Sequence, residues 1–228
     1  MSSQNPERLV YSHVAELARA FGHEHRLKLL DLMSQGEWSL DELAKRSGIS
    51  VANASQHLQT LRRVGVVTAR RAGKNVLFSL ADGPVFDAVV AMRALAERNI
   101  AEVRLAVTDY FGGLDDMEPV SLDEIRARMR DGNVVLLDVR DEAEYRQGHL
   151  PGAIHIASDE LEASLSRLPR DREVIAYCRG RYCILSSDAV ALLRRNGFRS
   201  RRLEDGYAEW KAANRSEASD ETTGLRTG

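Results

Sequence analysis

Cysteine is nearly missing from this 228-residue chain: there are two, Cys178 and Cys183, and none before them. Two thiols five positions apart do not make the disulfide framework of a small secreted domain. The start, MSSQNPERLVYSH, lacks a basic segment followed by an apolar one, so no export signal is expected. A reducing, cytoplasmic setting is the expectation, and there disulfides are transient and redox-linked. No apolar run approaches the ~20 residues that span a bilayer, so a membrane is not expected as a partner. A net charge of -2 excludes a chain that is basic throughout. One local absence matters more: from Leu43 to Leu80 there are seven Lys or Arg and no Asp or Glu.

What is present falls into two rhythms. In the first, Val14, Leu17, Ala18 and Phe21, then Leu27, Leu29, Leu30 and Met33, recur at helical spacing over 12–33, with a break near Gly22 and His23. Ser39 followed by Glu42 is a capping box for a short helix that Gly48 ends. Ser50 caps the next helix, whose Val51, Ala54, Leu58 and Leu61 form one apolar face. Two helices joined by a short turn match a helix-turn-helix. The stretch VVTARRAGKNVLFSL then reads as a basic hairpin turning at Ala-Gly-Lys-Asn. Residues 84–111 carry a long apolar stripe (Val89, Met92, Ala96, Ile100, Val103, Val107, Tyr110), which packs within its domain or against a twin helix. His23 and His25 stand two apart near the helix break, where capping or surface packing is expected, and no metal or other cofactor is assigned.

This order resembles the ArsR family of winged-helix repressors over about residues 10–110, on FGHEHRLKLLDLM and SLDELAKRSGISVANASQHLQTLRRVGVV and the hairpin after them. The resemblance implies a homodimer joined through 84–111 and double-stranded operator DNA as partner. Phosphate contacts would come from Arg62, Arg63, Arg70, Arg71 and Lys74, and base reading from Ser50, Asn53, Ser55, Gln56, His57 and Gln59. The metal-sensing members carry a cysteine pair on the sensing helix. This chain has no cysteine there, so that sensor is not inherited.

GGLDDMEP at 112–119 reads as a linker, and NRSEASDETTGLRTG at 214–228 as a disordered tail. From Val120 to residue 213 helices and strands alternate, which implies an α/β domain with a mainly parallel sheet. Ligands in such sheets bind where strand carboxyl ends give way to helix amino ends. The strand EVIAY delivers Cys178 to that place. Successive N–H groups, Arg179 and Arg181 would favour thiolate there and draw the Cys178 pKa below its free value.

The segment 120–213 resembles a rhodanese, on LLDVRDEAEYRQGHLPGAIHI, on YCRGRYC and on LEDGYAEWKAA. The resemblance implies that Cys178 accepts sulfur, that Arg179, Gly180, Arg181, Tyr182 and Cys183 form its anion cradle, and that Asp138 and Arg140 brace the cradle. Glycine falls two after the nucleophile here and not three, so substrate preference is open. A cysteine phosphatase needs arginine six after its cysteine, and that position is Ile184, which argues against phosphoryl chemistry. Cys183 either fills the base of the loop or resolves a persulfide or sulfenic acid into a disulfide.

The expectation is thus a winged helix-turn-helix domain (1–111) and a rhodanese-like domain in one cytoplasmic, dimeric repressor. Its sulfur donor would be thiosulfate or a small persulfide, and sulfur loading would be the sensing event. Two rivals stand beside it. One is a sulfurtransferase acting through Cys178, whose winged half serves mainly for dimerisation; the other is a regulator with an idle, anion-binding rhodanese domain.

Overall fold

The computed structural model describes residues 5–109, 119–130 and 132–214. It divides into two compact units between Ala94 and Leu95. Residues 112–118 of the expected linker and 215–228 of the expected tail lie outside the described residues, whereas Asn214 belongs to a closing helix over 207–214.

The first unit opens with α1 (Pro6–Phe21) and α2 (Glu24–Gln35). Asn5 and His23 cap them by accepting from the N–H of Glu7 and of His25. The two-residue strand β1 (Trp38–Ser39) leads into α3 (Leu40–Ser47). The capping box forms: the Ser39 hydroxyl accepts from the Glu42 N–H, and the Ser39 N–H donates to the Glu42 carboxylate at 2.9 Å. Gly48, at φ 74, closes α3 in the left-handed region that glycine adopts without strain. The helix α4 (Val51–Arg63) follows, and β2 (Val67–Ala72) and β3 (Asn75–Leu80) form the expected hairpin. β1 joins it in the order β1-β3-β2, an addition that two residues are too short to announce in sequence.

The core gathers Leu29, Leu30, Trp38, Leu43, Leu58 and Leu61, all nearly inaccessible. Each buried leucine contributes about 1.5–3 kcal/mol. The Trp38 indole N–H donates to the Leu32 carbonyl at 2.9 Å, so the ring is buried without an orphaned donor. Val14 and Leu17 remain 54% and 37% exposed, which leaves the apolar face of α1 on the surface with Leu9, Val10 and Tyr11.

The long stripe is two helices, α5 (Val85–Asn99) and α6 (Ala101–Val107), where the spacing predicted one. Ile100 breaks it with extended backbone, φ -112 and ψ 111. The Asn99 side chain donates to the Leu95 carbonyl at 2.8 Å, the kind of local bond by which asparagine competes with helix.

The second unit holds α7 (Leu122–Arg130), β4 (Val134–Asp138), α8 (Glu142–Gln147) and β5 (Ile154–His155). After a 3₁₀ turn at Glu162–Arg167 come β6 (Glu173–Tyr177), α9 (Leu185–Arg195) and β7 (Ser200–Arg202). The strands are parallel in the order β5-β4-β6-β7. Side-chain alternation sorts the sheet into two faces. Leu137, Val174 and Ala176 pack with Ala189, Val190 and Leu193 of α9. Val134, Leu136, Ile175 and Tyr177 pack with Ile125 of α7 and with Tyr207. Cys178 continues the first series, so the period of two aims its side chain at the α9 side.

Candidate functional site

Strand β6 ends at Tyr177, α9 begins at Leu185, and the seven residues between them form the loop that holds both cysteines. Cys178 is 1% exposed, and Cys183 is half-buried. The Cys178 sulfur lies 3.3 Å from the Ser186 hydroxyl, 3.4 Å from the Cys183 carbonyl and 4.0 Å from the Gly180 carbonyl. Its own carbonyl accepts from the Tyr207 N–H at 3.1 Å. Gly206 lets the chain pass this closely: a Cβ there would stand 2.3 Å from the Gly180 nitrogen and 2.5 Å from the Cys178 carbonyl oxygen. That is the requirement behind the glycine of LEDGYAEW.

Beneath the loop, Asp138 and Arg140 are a fully buried pair at 2.6 Å. Asp138 also accepts from the Arg140 backbone N–H at 3.0 Å, and Arg140 donates to the Gly148 carbonyl at 2.7 Å. The guanidinium lies 4.5 Å over the Tyr207 ring. Tyr207 thus joins the ion pair to the carbonyl of Cys178. Burial pushes the Tyr177 hydroxyl well above the usual phenol range, and that hydroxyl accepts from the Leu150 N–H.

The loop differs from the expected cradle in where its charges go. Arg179 forks onto Glu144, with bonds of 2.6 and 2.7 Å, and Glu144 is completely buried. Arg181 pairs with Glu204 at 3.3 Å and Glu97 at 3.6 Å, and the Tyr182 hydroxyl donates to Glu97 at 2.8 Å. Both arginines are committed to carboxylates. The backbone donors also favour the other sulfur: the N–H groups of Arg179 and Leu185 bond the sulfur of Cys183. Because α9 has no side-chain cap, its first N–H groups are open to such a partner. The Cys183 thiol, accepting from Cys178 and from those N–H groups, is pulled down to about 6. Burial pushes the Cys178 thiol up, as does the bond it donates to Cys183. The lowered pKa expected for Cys178 is therefore found on Cys183.

Of the residues expected to meet DNA, Asn53, Gln56, Gln59, Arg62, Arg63, Arg71 and Lys74 are exposed on α4 and the hairpin, and Ser55 is half-buried on α4. Three are engaged elsewhere. The Ser50 hydroxyl caps α4 by accepting from the Asn53 N–H at 3.2 Å. Arg70 is paired with Glu37, its Nε 2.8 Å from the carboxylate. His57 turns to His23 and His25, with ring centroids 4.4 and 5.7 Å away, and burial, with His23, Arg26 and His25 beside it, holds its pKa below the usual value. Glu144, Ser186, Gly206 and Glu37 were not legible as site residues, since each acquires its partner only through the fold.

Comparison with known proteins follows the same division. A family model described as a rhodanese-like domain matches residues 121–213, and one described as a helix-turn-helix domain matches 21–70. The HTH-type transcriptional regulator Rv0324 of Mycobacterium tuberculosis is 38% identical over 200 residues, 88% of this chain and 88% of that protein. The "Probable mercury resistance operon repressor" of Streptomyces lividans is 40% identical over 38% of this chain and 70% of its own length. The solution structure of the homodimeric winged helix-turn-helix DNA-binding domain Mb0332 from Mycobacterium bovis is 28% identical, with TM-score 0.41, covering 45% of this chain and 95% of that one. Among the described residues no helix is long and apolar enough to cross a membrane. With likeness to Rv0324 over 88% of its length, the chain belongs to the HTH-type transcriptional regulators, as a DNA-binding winged helix-turn-helix joined to a rhodanese-like domain.

Proposed function

We propose that this regulator is a homodimeric repressor whose rhodanese-like half accepts sulfane sulfur on Cys178 as a persulfide, and that this loading is the signal it senses. The observation that carries the reading is the position of Cys178. It stands at the carboxyl end of a central parallel strand, held through Tyr207 by a buried ion pair, in the loop that contains every thiol of the chain. A sulfur atom added there replaces a buried thiol by a larger, more acidic group beside Ser186 and Cys183.

Dimerisation is supported by the apolar residues left on the surface of α1, α5 and α6, among them Val10, Tyr11, Val14, Leu95 and Leu105. Passage of the signal is supported by Glu97, which accepts from Tyr182 in the loop and stands in the same helix as Val85 and Val89 of the first unit's core. Repression accords with the Streptomyces lividans relative, a probable repressor of a mercury resistance operon. The test is mass measurement after exposure to thiosulfate or cysteine persulfide. In Cys183→Ser protein, where no neighbouring thiol can discharge the persulfide, the expected result is a gain of one sulfur atom that reductant removes and that Cys178→Ser abolishes. Equal gain by the Cys178→Ser protein would overturn the assignment.

A further inference from the structure

The loop brings its two sulfurs together. The backbone turns back at Gly180, whose carbonyl accepts from the Cys183 N–H at 3.0 Å. This turn lays Cys183 against Cys178, with the Cys178 sulfur 3.4 Å from the Cys183 carbonyl and a hydrogen bond from the Cys178 thiol towards the Cys183 sulfur, both thiols being free. The N–H groups of Arg179 and Leu185 meet at the Cys183 sulfur, and Arg179 adds its field. Cys183 is the more accessible of the pair and Cys178 the more enclosed. A residue that only filled the base of the loop would need neither anion-stabilising donors nor contact with the other thiol.

We propose that Cys183 is a second catalytic residue, which discharges a persulfide on Cys178 as hydrosulfide and leaves a Cys178–Cys183 disulfide. The proposal rests on the reading that Cys178 accepts sulfane sulfur, and it names the fate of that sulfur. In loading, the Cys178 sulfur bonds the outer sulfur of a small persulfide; the donor's S–S bond breaks, and its thiol departs with the proton from Cys178. In discharge, the Cys183 thiolate attacks the inner sulfur of the Cys178 persulfide. The new S–S bond joins residues 178 and 183, the old one breaks, and its electron pair leaves on the outer sulfur as hydrosulfide, which keeps the persulfide proton. The two cysteines lose two electrons and the sulfane sulfur gains them, so the donor is the oxidant and no other is needed. Pulled to about 6 in the reduced protein, Cys183 is mostly thiolate at neutral pH, and the turn at Gly180 lays it beside the residue whose sulfur it must attack. The disulfide pins Arg181 and Tyr182 between its two ends, and these are the residues that hold Glu97.

The experiment treats the full-length reduced protein with one equivalent of cysteine persulfide and follows intact mass and released sulfide together. The unsubstituted protein is expected to lose the mass of two hydrogens and to release one sulfide per chain. Cys183→Ser and Cys183→Ala are expected to keep one extra sulfur, with sulfide release falling to the level of Cys178→Ser. That retained sulfur itself shows that the variants are folded and loaded. If the unsubstituted protein keeps the extra sulfur as long as the Cys183 variants do, the resolving role is overturned and the accepting role of Cys178 stands. If no form gains sulfur or forms the disulfide, sulfur acceptance fails, and the resolving role with it.

Discussion

Asp138→Asn removes one charge from a site where solvent cannot replace it. In the native protein Asp138 and Arg140 are both completely buried, 2.6 Å apart, with Arg140 also bonded to Gly148 and stacked over Tyr207. Asparagine keeps the size but leaves the guanidinium buried beside a neutral amide. Breaking one partner of such a pair costs about 3–5 kcal/mol, against a total stability of about 5–15 kcal/mol for a domain. With a urea slope of about 1–3 kcal/mol/M, the midpoint of the second unit should fall by about 2 M. The chain's two tryptophans make this measurable, since Trp38 packs in the first core and Trp210 against the second. In a Trp38→Phe background, Trp210 fluorescence follows the second unit alone. Replacing both partners, Asp138→Leu with Arg140→Met, removes the stranded charge and should recover much of the loss. A cost below about 1 kcal/mol for Asp138→Asn, or a double variant less stable than the single one, would refute the view that this pair braces the loop.

The His57 imidazole is held below its usual value by burial and by His23, Arg26 and His25 facing it. As pH falls through the unfolded value of 6.5, the unfolded chain binds the proton that the folded one resists. Stability of the first unit should then decline on acidification below that pH, and in thermal melts from pH 7.5 to 5 His57→Asn should flatten the decline. Operator affinity measured against salt should lose about 0.9 from its slope for each of Arg62 and Arg63 replaced by alanine, on every sequence alike. Arg70→Ala should change the slope less, because Arg70 already spends its charge on Glu37. Gln56→Ala or Asn53→Ala should instead alter which sequence is preferred, as competition among randomised duplexes would record.

Local signals were legible in the sequence because they act over a few residues. Ser39 with Glu42 and Ser50 before α4 are capping contacts within three positions, and the hairpin turn at Gly73 needs one positive φ. The path of β6 to Cys178 was equally legible, since a buried strand before a helix announces itself by its apolar run. Long-range pairing was not legible. Nothing near Arg179 says that Glu144, 35 residues earlier, will take up its charge, or that Glu37 will claim Arg70 across the first unit. The assignment of the lowered thiol failed for a related reason. Sequence puts both cysteines in a donor-rich loop, but only the direction of the Arg179 and Leu185 N–H groups decides which sulfur they serve. The break at Ile100 was hidden by an apolar stripe whose spacing continues through it.

Sulfur chemistry at residues 178–183 should alter DNA binding, and a titration of operator DNA decides it, with reduced protein, with protein treated with cysteine persulfide, and with Cys178→Ser treated in the same way. Treatment is expected to shift the affinity of the unsubstituted protein by about tenfold or more, a coupling of about 1.4 kcal/mol, and to leave Cys178→Ser at the affinity of the reduced form. Equal affinities for all three would contradict it.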